Sequence, residues 1–130
     1  MIKKEEIDLI KIALSKLNYI KSKKYHKEII DEISFVFNVF IKNYYSLHKE
    51  VTHTELKDTL SRKPIEESEK ALLIKLDEEL EHIKYGVKNP SKARVKKLLS
   101  KIIHYLKSKL SKIDISDMIK YVKLKISEVK

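Results

Sequence analysis

One glycine and two prolines in 130 residues leave this chain few ways to turn tightly. Left-handed and proline-initiated turns are what join the short strands of a sandwich or barrel, so a turn-rich β fold is a poor reading. With 42% of its residues apolar, the chain also carries too much hydrophobic side chain to stay disordered. The expected fold is therefore all-α: one compact bundle of about six helices, with residues 1–130 forming a single helical domain. Cysteine is absent, which removes disulfides and thiol chemistry from consideration.

The helices are read from three- and four-residue spacing of apolar side chains. The first, residues 3–21, places Ile7, Ile10, Leu14 and Leu17 on one stripe. The second, residues 25–47, carries Ile29, Ile33, Val36, Phe40, Tyr44 and Leu47 on one stripe and Ile30, Phe35, Phe37, Val39, Ile41 and Tyr45 elsewhere. A helix apolar nearly all round is expected at the centre of a bundle. Thr52-His53-Thr54-Glu55 has the form of a capping box opening a short third helix that ends near Ser61. Pro64 suits the first turn of a fourth helix, with Ile65, Leu72, Leu76, Leu80 and Ile83 in its stripe and Gly86 as a left-handed residue at its end. Asn89-Pro90 repeats the pattern of cap plus first-turn proline before a fifth helix bearing Val95, Leu98, Leu99, Ile102, Ile103, Leu106 and Leu110. Asp114 is expected to cap a sixth, in which Ile115, Met118, Ile119, Val122, Ile126 and Val129 continue a core stripe. The short link between the fourth and fifth helices predicts an antiparallel hairpin.

Composition bears on source and compartment. Glutamine is absent, asparagine occurs four times, and lysine outnumbers arginine 27 to 2. Such a chain avoids heat-labile amides, which points to a thermophilic archaeon or one of its viruses. No apolar stretch has the length of a membrane span, and the acids Glu5 and Glu6 stand where a secretory signal needs a hydrophobic run, so a cytoplasmic protein is expected.

Charge is laid out unevenly. Residues 84–130 hold 14 basic and 3 acidic side chains, a net +11, whereas residues 1–83 balance to −1. On helical angles Arg94, Lys97, Lys101 and His104 fall opposite the apolar stripe of the fifth helix, flanked by Lys96 and Lys107, and Lys120 and Lys123 extend the bias. These eight are the candidate contacts for nucleic acid or another anion. The fourth helix is biased the other way by Glu66, Glu67, Glu69, Asp77, Glu78, Glu79 and Glu81. Two readings follow: the acidic and basic helices lie side by side and neutralise one another, or the basic helices offer a surface to an anionic partner.

Several motifs lose their force on inspection. The third and fourth helices have helix-turn-helix proportions, but Glu66, Glu67 and Glu69 would then sit where phosphates must. Glu79-Leu80-Glu81-His82 and Glu50-Val51-Thr52-His53 match the Glu-X-X-His spacing of di-iron bundles. His82 points away from its helix's apolar stripe, however, and the second copy straddles a helix start. A single glycine excludes a Gly-rich phosphate loop, and no serine lies in a nucleophile elbow. No catalytic residue, cofactor or metal ligand is therefore assigned.

Residues 35–110 present a further pattern: an aromatic-rich helix, Thr54-Glu55-Leu56, an acidic helix closing on Glu81-His82-Ile83-Lys84-Tyr85-Gly86, then a basic amphipathic helix. This order resembles the cytosolic helical tail domain of archaeal and bacterial transglutaminase-like membrane proteins. The resemblance implies a small interaction module and no catalytic residues.

The function expected is thus a non-enzymatic protein–protein interaction or assembly module, with a protein partner or a second copy as its ligand. The alternative is nucleic-acid binding through the basic face of residues 90–130. Docking of the last helix on an anionic membrane surface has the least support, because its apolar stripe reads as core.

Overall fold

The computed structural model describes residues 3–47, 52–86 and 90–129, the last helix beyond Ile113 by its backbone alone. Within them the chain is mostly helical and contains no strand. The order is α1 (Lys3–Ser22), α2 (Ile29–Tyr44), α3 (His53–Ser61), α4 (Glu67–Glu81) extended by a π-helical turn (His82–Gly86), and α5 (Lys92–Val129).

The core follows the predicted stripes closely. Ile10, Leu14 and Leu17 of α1 are buried together with Ala13 and Ile20, against Ile29, Ile33, Phe37, Phe40 and Ile41 of α2 and Val95, Leu98, Leu99, Ile102, Ile103 and Leu106 of α5. The connection at 23–28 turns α2 back along α1, and α5 packs along the other flank of α1. Tyr25 fastens that connection to the start of α5 by donating to the Pro90 carbonyl at 3.1 Å. The Thr52–Glu55 capping box forms as the sequence indicates, with the Glu55 amide donating to the Thr52 hydroxyl and the Thr52 amide to the Glu55 carboxylate.

Five expectations need correction. The α1 helix, rather than α2, is the wall shared by two long neighbours, and Phe35 on α2 faces outward at 63% exposure. Period alone cannot say which side of a nearly all-apolar helix is left over. Residues 92–129 form one continuous helix through Asp114, so there are five α-helices among the described residues rather than six. No glycine or proline interrupts that stretch, and an interior aspartate costs only about 0.5 kcal/mol in helix propensity.

Chain reversals also differ from the reading. Gly86 closes the π-helical turn without a positive φ, and the left-handed residue of the described chain is Ser46 at φ 53°. The glycine instead leaves room for the His82 ring, whose Nδ1 lies 3.0 Å from where a Cβ would stand. Pro64 precedes α4 instead of occupying its first turn. Asn89 lies outside the described residues, and the cap of α5 is Ser91, whose hydroxyl accepts from the Arg94 amide at 3.1 Å.

Candidate interaction groove

Packing between α4 and α5 is looser than between α5 and α1. The α4 helix turns Leu73, Leu76 and Leu80 into the core, but the next residue round its surface, Leu72, is 41% exposed. Between the two helices runs an open groove of about 670 Å³ with Leu72 and Leu76 on its floor. Its α4 rim carries Glu66, Glu69, Lys75 and Glu79, and its α5 rim Lys97, Lys101, His104, Lys109 and Lys112.

Two cross-helix ion pairs span it. Lys101 lies 3.3 Å from Glu79, and Lys109 lies 2.6 Å from Glu69. The residue earlier in α4 pairs with the residue later in α5.

The Glu69 end is a built cluster. One oxygen, Oε1, is approached by the Tyr45 hydroxyl at 2.6 Å, the Tyr105 hydroxyl at 2.8 Å and the Lys109 ammonium at 2.6 Å. The two hydroxyls are themselves 2.8 Å apart, so two phenolic protons serve three close oxygen contacts. Lys109 also sits 4.6 Å from the centre of the Tyr44 ring, a cation–π distance. Glu69 belongs to the first turn of α4, where the helix dipole favours a carboxylate.

Burial raises the pKa of Glu69, but the hydrogen bonds from Lys109, Tyr45 and Tyr105 outweigh it and hold the carboxyl below its ordinary value. Burial is also the main cause pushing Tyr105 and Tyr45 far above the usual phenol range, with Glu69 adding to it. Both phenols therefore remain donors. The cluster braces the end of α2, the start of α4 and the middle of α5 in a single contact.

The candidate anion contacts are dispersed over α5. Lys97, Lys101 and His104 line the groove, Lys96 and Lys107 are exposed outside its lining, and Arg94 is half-buried. Lys120 and Lys123 belong to the helix, but their side chains lie outside the described residues. Lys101 is engaged with Glu79, whereas Lys96, Lys97 and Lys107 make no ion pair among the described residues.

The sequence pattern places Leu72 in a core stripe, Glu69 in the acidic bias of the fourth helix and Tyr45 on the second helix, and it singles out neither Tyr105 nor Lys109. The spacing of Tyr105 and Lys109, one helical turn apart, was the available signal for the cluster. Among the described residues, no helix is long and apolar enough to cross a membrane. Compared with protein-family models, with curated proteins and with solved structures, the chain matches none.

Proposed function

We propose that this chain is a non-enzymatic interaction module, acting in the cytoplasm, whose α4–α5 groove receives a segment of a protein partner. The observation that carries the reading is the groove itself: an opening between α4 and α5 in which Leu72 is exposed, with lysines outnumbering acids on the rims. Apolar surface kept open between braced helices is how a helix-in-groove site is made. The segment that suits it is amphipathic, with an apolar face for Leu72 and acidic flanks for Lys75, Lys97 and Lys112. The resemblance of residues 35–110 to the helical tails of transglutaminase-like membrane proteins accords with such a role, and we propose it as kinship.

Leu72→Glu tests the groove directly. Because Leu72 is partly exposed, the variant is expected to keep the helical circular dichroism of the parent. It should lose acidic amphipathic helical peptides that the parent binds in fluorescence anisotropy, and equal binding by both chains would overturn the reading.

Nucleic-acid binding stands as the second reading, favoured by exposed Lys96, Lys97 and Lys107, which lack acidic partners among the described residues. On that reading, affinity for a mixed-sequence duplex falls steeply as salt rises, and Lys96→Glu with Lys97→Glu removes it. Binding that ignores both salt and the double substitution would exclude it.

A further inference from the structure

The outer face of the α1–α2 layer, on the opposite side of those helices from their buried stripes, carries two large side chains in water. Tyr19 is 65% exposed and Phe35 is 63% exposed, on adjacent helices flanking one shallow cleft. Isolated exposed apolar residues are ordinary, but two aromatic rings facing one cleft make a contiguous patch. The cleft has a charge pattern as well: Lys16 and Lys23 on the α1 side, Asp31 and Glu32 on the α2 side.

We propose that two copies of this chain associate through this face, the α1 of each lying over the α2 of the other. A symmetric dimer must match a surface to itself, and a two-fold axis parallel to the helices does so here. It sets Tyr19 of one copy on Phe35 of its partner, twice over. It also brings Lys23 of one copy toward Asp31 and Glu32 of the other.

An axis perpendicular to the helices would instead lay α1 on α1 and bring Lys16 against Lys23, which like-charge repulsion disfavours. Charge thus selects one of the two face-to-face arrangements. Of the groups involved, Asp31 has capacity for such a contact. Lys23 bonds Glu32 within its own chain at 2.8 Å, while Asp31 has only a loose pair, 3.8 Å from Lys84, among the described residues. Aromatic anchors ringed by charges are also the composition of an interface centre. This surface is separate from the α4–α5 groove, so the two readings stand or fall independently.

Sedimentation equilibrium from micromolar to millimolar chain concentration tests the proposal. The parent is expected to move toward twice the chain mass, and Phe35→Ser to weaken that association by about tenfold or more while keeping its helical circular dichroism. A parent that stays monomeric at millimolar concentration overturns it, as does an undiminished dimer in Phe35→Ser. The native chain has no cysteine, so geometry can be read by disulfide trapping. A mixture of Tyr19→Cys and Phe35→Cys chains should cross-link to each other faster than either does to itself. Preferential self-linking of either variant would overturn the arrangement.

Discussion

At the scale of single residues, the Glu69 cluster concentrates more interaction than any other polar group described. Three donors converge on one oxygen of a part-buried carboxylate, and hydrogen bonds to a charged group contribute about 1.5–3 kcal/mol. Glu69→Gln keeps the shape and removes the charge, and it should destabilise the protein by about 1–3 kcal/mol at neutral pH. The pH dependence follows from the direction of the shift. The folded carboxyl titrates below its ordinary value of 4.5, so the unfolded chain takes up protons first on acidification. The stability contributed by Glu69 is complete above that value and is lost as pH falls through the lower, folded value. Urea unfolding of parent and Glu69→Gln from neutral to acid pH should show the two curves converging in that window. A constant gap would mean that the charge is not what the phenols and Lys109 hold.

At the scale of elements, the ends of the helices divide into those written in local residue types and those set by packing. The Thr52–Glu55 box and the boundary near Ser61 were legible because capping is a contact within four residues. The end of α2 was not. There the chain reverses through Ser46 in the left-handed region, with the Leu47 amide donating to the Lys42 carbonyl at 2.9 Å and Leu47 buried in the core. That is the geometry glycine ordinarily serves, and burial of Leu47 holds a serine in it. Glycine usually marks this role, so the sequence pattern points to Gly86, yet the local demand at Gly86 is space for His82. Ser46→Gly should therefore stabilise the protein by about 1 kcal/mol, because the left-handed conformation costs a side-chain-bearing residue roughly that much. Thermal unfolding checks it: a raised midpoint is expected, and a lowered one would place the strain elsewhere. The division of α5 at Asp114 failed for the converse reason. A residue suited to capping does not end a helix when no backbone breaker accompanies it.

At the scale of the whole molecule, the identity of the core was readable and its arrangement was not. As far as Ile113, nearly every apolar residue placed on a stripe of α1 or α5 is buried, because a period of 3.6 residues states directly which side of a helix avoids water, and the stripe Ile115, Met118, Ile119, Val122, Ile126 and Val129 lies outside the described side chains. Which helices meet is a property of pairs, and a single sequence carries no pairwise term. For that reason the aromatic density of α2 suggests a central helix, although α1 is the wall that both α2 and α5 pack against, and Leu72 counts as core although it lines the groove floor. The candidate site divides in the same way. Lys97, Lys101 and His104 were found together because they share one helix face, whereas Glu69, Tyr45 and Lys109 come from three helices and meet only after folding. The placement of α1 as the shared wall makes a quantitative claim. Leu17 has no exposed surface and Ile12 of the same helix is 54% exposed. Leu17→Ala should cost about 2–5 kcal/mol, since it removes transfer free energy and leaves a cavity between packed helices. Ile12→Ala should stay within about 0.5 kcal/mol of the parent. Denaturant unfolding of the two variants side by side measures the contrast. Comparable losses would mean that both faces of α1 are covered, and a small loss at Leu17 would remove α1 from the centre of the fold.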